Sequence, residues 1–129
     1  MLSLVLGLLS GGATLIVLNP RLAVSAHLQG LLNALFLIAV GLLWDRLVLS
    51  PRLRTVVVPL LLEGTYGNWA MTLLGSVWGT KNLTPIAGAG YVAAPWQETV
   101  VAGGLAVAIG SMLVAAVILS WGLRRDPST

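Results

Sequence analysis

The sequence predicts an all-α integral membrane protein, a single four-transmembrane-helix bundle with both termini in the cytoplasm. Three observations carry this. Of 129 residues, 57% are hydrophobic and only 9% charged, and the mean hydropathy is +0.96. A soluble domain carries roughly 25% charged residues, so this surface suits lipid rather than water. Four apolar stretches each approach the roughly 20 residues that cross a bilayer. The few cations sit at the ends of those stretches and fall unequally on the two sides.

The first predicted helix covers about residues 2–18 and stops at Asn19-Pro20-Arg21. It has no basic leader and no cleavage signal, so it reads as a retained helix rather than a signal peptide. The second covers 25–44 and stops at Asp45-Arg46. The third covers 56–78 and stops at Gly79-Thr80-Lys81. The fourth covers 99–123 and stops at Arg124-Arg125-Asp126-Pro127. In lipid each backbone amide must bond within its own segment, which makes these stretches helices. The longest connection, about residues 79–98, holds Pro85, Gly88, Gly90 and Pro95, as a loop should. There is no internal repeat, and 1–129 reads as one domain.

Arg46, Arg52 and Arg54 separate the second and third helices, and Arg124 and Arg125 follow the fourth. Only Arg21 and Lys81 lie on the other side. Cytoplasmic loops collect Lys and Arg, and this sets the orientation. Trp44, Trp78, Trp96 and Trp121 fall near helix ends, where interfacial aromatics belong. Small residues at Gly7 and Gly11, at Ala102, Ala106 and Gly110, and at Gly104 and Ala108 mark close helix contacts.

The absence of cysteine excludes disulfides, thiolate metal sites and cysteine nucleophiles. The net charge of +3 rests on a few topology cations and gives no nucleic-acid footprint. The informative residues are polar ones within the apolar stretches. These are His27 and Asn33 on the second helix, Glu63, Thr65, Tyr66, Asn68 and Thr72 on the third, and Gln97 and Glu98 opening the fourth. Counting depth at 1.5 Å per residue brings His27, Asn33, Asn68, Thr72 and Glu98 to the outer half of the bundle. Thr65, Asn68 and Thr72 share one helix face. His27 and Asn33 lie about 120° apart around an ideal helix, so a large flat cofactor or an intersubunit site would serve both better than one small ligand. Each also has a plain reading. The histidine reads as interfacial, the amides as interhelical bridges, Gln97 and Glu98 as first-turn residues, and Tyr66 and Trp69 as packing. Glu63 lies deep in an apolar run apart from the others, which gives it a structural role first.

One histidine and no cysteine leave no catalytic triad, no phosphate loop is present, and a di-metal site lacks ligands. A single histidine suffices for one axial haem ligand, leaving an open ferric iron that polarises a substrate oxygen. Met71 is a conceivable second ligand that would close the site.

Several segments resemble the hydroxylaminobenzene mutases. They are Asn19-Pro20-Arg21, Ser25-Ala26-His27-Leu28, Gly30-Leu31-Leu32-Asn33, Leu49-Ser50-Pro51-Arg52-Leu53, Gly64-Thr65-Tyr66 with Asn68-Trp69, Val77-Trp78-Gly79-Thr80, Pro85-Ile86-Ala87-Gly88, Gln97-Glu98 and Trp121-Gly122-Leu123-Arg124. The resemblance runs from about Asn19 to Arg124, and it is specific by number and order of motifs. It implies a bacterial inner-membrane isomerase of nitroarene degradation that rearranges hydroxylaminobenzene to 2-aminophenol. Glu63 stands where that family usually has another residue. The chain is similar, more distantly, to styrene oxide isomerase, a four-helix membrane enzyme. That likeness implies a homotrimer with haem b held by His27 at subunit interfaces, and oxygen positioning by Asn33 and Asn68. Thr72 stands at that enzyme's tyrosine position, so Tyr66 or Asn68 takes over oxygen positioning. The resemblance thus implies His27 as the haem iron ligand and Asn33, Asn68, Tyr66 and Thr72 as catalytic residues. The alternatives are epoxide isomerisation and a non-enzymatic haem-binding membrane subunit; a transporter would need broken-helix repeats that the sequence lacks.

Overall fold

The computed structural model describes residues 1–124, which are helical with no strand among them. Arg125, Asp126 and Pro127, which close the predicted fourth stretch, lie outside the described residues.

The first helix, α1, spans Leu2–Ala13 and ends well before residue 18. Two consecutive glycines, Gly11 and Gly12, weaken its last turn. The Thr14 hydroxyl then donates to the Gly11 carbonyl at 2.8 Å, and the chain continues in turns. The second helix, α2, spans Pro20–Leu43 and starts earlier than the hydropathy suggests. Asn19 caps it: its Oδ1 accepts from the Arg21 and Leu22 amides at 3.1 and 3.3 Å. Pro20 occupies the first turn, where a missing N–H costs nothing.

A 3₁₀ turn at Trp44–Arg46 leads to α3, Pro51–Leu62, whose cap is the Ser50 hydroxyl. This cap-and-proline start again precedes the predicted boundary at 56. A π-helical segment, Glu63–Gly67, follows without a break, and α4, Asn68–Trp78, continues from it. Pro59 lies inside α3, while Gly64 and Gly67 offer little helix propensity. Gly79, at φ +71°, stops α4 in the left-handed conformation. The last helix, α5, spans Pro95–Arg124, 30 residues or about 45 Å. Among these elements, α2 with its 3₁₀ extension and α5 are each long and apolar enough to cross a membrane.

Hydrogen bonds define two ends. At one, the Asn19 amide donates to the Ser76 carbonyl and its Nδ2 to the Ala87 carbonyl, each at 2.9 Å. The start of α2, the end of α4 and the 79–94 connection therefore meet there. At the other, the Val48 amide donates to the Gly122 carbonyl at 3.1 Å, joining the α2–α3 connection to the end of α5. Successive long elements thus run antiparallel. Arg46, Arg52, Arg54 and Arg124 share one end, and Arg21 and Lys81 the other. Trp78 and Trp96 stack edge-to-face at 5.0 Å at the Lys81 end, whereas Trp44 lies under the Arg54 guanidinium at the opposite end.

Close approach through small residues holds the helices together. Gly7 and Gly30 put the backbones of α1 and α2 in direct contact, since a Cβ on Gly30 would fall 2.3 Å from the Gly7 Cα. The Ser3 hydroxyl donates to the Gly30 carbonyl at 3.0 Å across that contact. On α5 the expected small-residue stripe divides. Gly104 receives Met71 and Ala108 is fully buried, but Ala106 and Gly110 remain on the surface. Packing follows Val101, Leu105, Ala108, Ala115 and Leu119 instead. Leu47, Val57, Leu61, Ala115 and Leu119 form the apolar core nearest the arginine-rich end.

Candidate functional site

His27 sits in the α1–α2 seam, half-buried. Its Nδ1 lies 2.7 Å from the Gly7 carbonyl oxygen. A carbonyl oxygen only accepts, so Nδ1 carries a proton and donates to it. Gly11 gives the ring its place: a Cβ there would meet the imidazole at 3.0–3.4 Å. Nε2 has no partner among the described residues. A histidine with one nitrogen donating to a carbonyl and the other uncommitted is the arrangement that suits a metal ligand. His27 is therefore the residue that would hold an iron-bearing cofactor. Met71, the conceivable second ligand, packs its thioether over Gly104.

Asn33 lies on the same helix but serves a different neighbour. Its Nδ2 donates to the Thr65 carbonyl at 2.8 Å. Thr65 is fully buried in the π segment, and its own hydroxyl donates to the Leu61 carbonyl at 2.6 Å. The distorted helix would otherwise leave main-chain acceptors short of donors, and Asn33 supplies one from outside. The π segment is thereby fixed to α2 at the level of Asn33.

The third-helix candidates diverge. Thr72 is buried and its hydroxyl donates to the Asn68 carbonyl at 2.9 Å, which commits it to the backbone. Asn68 turns its side chain into a cleft of about 170 Å³ against α5, lined otherwise by Gly64, Ala108, Ile109, Met112 and Leu113. Its carboxamide has no hydrogen-bond partner among the described residues. Tyr66 lines a shallow groove with Leu2, Pro59, Leu62 and Glu63. Glu63 is exposed there, its carboxylate lying over Gly67. Of the five residues expected to gather, three meet different neighbours: His27 faces α1, Asn33 the π segment and Asn68 α5. Among the described residues no hydrogen bond joins these three.

Gln97 and Glu98 are framework. The Gln97 Oε1 accepts from the Ala94 amide at 2.8 Å and closes the start of α5. The buried Glu98 carboxylate accepts from the Lys81 and Asn82 amides at 2.9–3.2 Å and ties the loop down. Arg21 adds a hydrogen bond to the Ala89 carbonyl and stacks on Tyr91. Another cleft, of about 240 Å³ and almost wholly apolar, opens between α2 and α5 among Phe36, Val40, Leu43, Leu47 and Leu119, and none of the candidates lines it.

Two polar side chains escaped the sequence reading. Gln29 lies one turn before Asn33 on α2, and its Oε1 is buried without a hydrogen-bond partner. Its spacing of four from Asn33 was the available signal. Ser10 is buried and accepts from the Trp69 indole at 2.8 Å while donating to the Leu6 carbonyl at 2.6 Å. Trp69 therefore holds α1 beside the very turn whose Gly7 carbonyl holds His27.

Comparison with known proteins gives a consistent group of similarities. Residues 1–124 match the family model described as styrene oxide isomerase. The chain is 40% identical over 124 residues to hydroxylaminobenzene mutase HabB of Ectopseudomonas oleovorans, covering 95% of this chain and 76% of that protein. It is 39% identical over 121 residues to hydroxylaminobenzene mutase HabA of the same organism, covering 93% and 90%. No solved structure matches the chain.

Proposed function

The chain belongs to the styrene oxide isomerase family and is an isomerase, and from that membership we propose that it converts hydroxylaminobenzene or a close arylhydroxylamine to the 2-aminophenol within the bacterial inner membrane. The observation that carries the reading is the His27 imidazole, oriented by the Gly7 carbonyl so that Nε2 is available. The reaction is an isomerisation. The N–O bond breaks, a C–O bond forms at the ortho carbon, and the proton lost from that carbon is made up on nitrogen. No external reductant or oxidant enters.

In this proposal His27 holds haem b. When bound, the group supplies a ferric Lewis acid for the hydroxylamine oxygen. The protein's residues do the rest. The Gly7 carbonyl fixes the histidine tautomer and raises the basicity of Nε2. Asn68, which faces α5 and not His27, would orient the N–O group only where the cofactor of an adjacent protomer meets that cleft. Asn33 holds the π segment that carries Tyr66 and leads into Asn68 at the start of α4, and its Oδ1 remains available to a donor. Thr72 supports the Asn68 backbone. Exclusion of bulk water by the surrounding apolar helices limits diversion of the reactive species.

The antiparallel course of α2, α3–α4 and α5, with the arginine-rich end cytoplasmic, supports three crossings, while α1, 12 residues or about 18 Å long, reaches only part of the way along α2. A carboxylate exposed midway along an apolar helical run needs cover in lipid, and Glu63 thus supports a homo-oligomer, for which we propose a trimer. A second reading, epoxide isomerisation, is weaker here. The Thr72 hydroxyl is already bonded to the Asn68 carbonyl, and no phenol stands at that position.

The test is the purified protein and its His27→Ala variant. The proposal expects 2-aminophenol from hydroxylaminobenzene and a Soret band with a high-spin ferric EPR signal, all lost in the variant. Activity and spectrum unchanged in His27→Ala would rule out the haem role; no aminophenol from the parent protein would rule out the mutase.

A further inference from the structure

We propose that the cleft between the π segment and α5 is the arene pocket, sized for one benzene ring, with Asn68 as its polar anchor and Met112 and Leu113 setting ring size. The inference rests on the mutase reading and names the substrate class: monocyclic arylhydroxylamines.

The cleft offers about 170 Å³ and is open on the lipid-facing side. An apolar protein cavity of roughly 150 Å³ accepts benzene, so this volume suits one ring and a small substituent but not a fused bicycle. Its walls match such a ring. Ala108 is fully buried and forms part of the floor, and Gly64 brings the π segment directly onto Met112, where a Cβ would fall 3.0 Å from that side chain. Ile109 and Leu113, 52% and 62% exposed, line the cleft on the outer face of α5. A substrate dissolved in lipid therefore reaches the cleft from the side.

Asn68 is the one hydrogen-bonding side chain in that lining. Its amide has a donor and an acceptor, and neither is used by the described residues. A hydroxylamine has N–H and O–H donors and an oxygen acceptor, so it satisfies both functions of the amide at once. A plain hydrocarbon of the same shape satisfies neither, and leaving polar groups unpaired in an apolar site is what penalises it. The π segment contributes directly. It lets Gly64 approach α5 closely while Asn68, one turn on, still faces the same cleft.

The experiment compares hydroxylaminobenzene with 1-hydroxylaminonaphthalene on the full chain in its membrane form. The parent protein should favour the monocycle by at least about 10-fold in kcat/KM, since even one methylene in a tight pocket is worth roughly 10–200-fold. Met112→Ala should narrow that ratio, and Leu113→Trp should raise KM for hydroxylaminobenzene by about 10-fold. Val117→Trp, on the same helix but outside the cleft, should leave both unchanged. Aminophenol formation with a ratio and KM indifferent to Met112→Ala and Leu113→Trp overturns the pocket while the mutase reading stands. If the parent protein forms no aminophenol, fluorine NMR of 4-fluoroaniline decides the pocket separately. Line broadening lost in Leu113→Trp but kept in Val117→Trp supports it, and equal broadening in all three proteins overturns it.

Discussion

At the residue scale, function depends on where each polar atom finds its partner. His27 obtains a defined tautomer because α1 presents the Gly7 carbonyl 2.7 Å from Nδ1 and because Gly11 leaves room for the ring. Gly11 and Gly12 are adjacent, yet a Cβ on Gly12 meets nothing within 4 Å. Alanine is the better helix former at both sites by roughly 1 kcal/mol. Gly12→Ala should therefore retain activity and the Soret band, while Gly11→Ala displaces the imidazole and shifts the band with at least about a 10-fold loss of kcat, the consequence of misplacing a catalytic group by even a fraction of an ångström. Steady-state assays and absorption spectra of the pair check this. Gln29 gives a second prediction. Its buried Oε1 has no partner, and such a group costs about 1–3 kcal/mol. Gln29→Met should match or exceed the parent protein in thermal unfolding in detergent.

At the element scale, the π segment and the 79–94 connection shape the molecule. The π segment permits the Gly64–Met112 contact and is held from α2 by Asn33. The connection is held by Asn19, Arg21 and Glu98. Glu98→Ala would leave the Lys81 and Asn82 amides without their acceptor, at about 1–3 kcal/mol for a buried donor. Faster hydrogen exchange at these amides, with the helical amides of α2 unchanged, is the expected result. The sequence made the apolar runs legible because lipid imposes helix on them. Their starts were less so: the caps at Asn19-Pro20 and Ser50-Pro51 are strong local signals that hydropathy overlooks. The early end of α1 follows from Gly11-Gly12, which an apolar window averages away. The π segment was not legible, because its stability depends on Asn33, distant in sequence, and on close packing against α5.

At the scale of the whole molecule, the arginine split visible in the sequence becomes a division between two physical ends, with one tryptophan pair at the Lys81 end and Trp44 at the other. The sequence places His27, Asn33, Asn68, Thr72 and Glu98 by depth alone. Depth along a helix follows from counting residues, but direction around it depends on which neighbour each face meets. That neighbour is α1 for His27 and α5 for Asn68. The orientation has a direct check, made simple by the absence of native cysteine. A membrane-impermeant maleimide applied to intact cells should label Lys81→Cys, and should label Arg52→Cys only after permeabilisation; the reverse pattern would invert the topology. The proposed reaction transfers oxygen intramolecularly from nitrogen to carbon in a site closed to water. Its most direct test is turnover of hydroxylaminobenzene in ¹⁸O-labelled water, with mass analysis of the 2-aminophenol. Intramolecular transfer predicts product carrying the substrate's own unlabelled oxygen; product labelled from water rules it out.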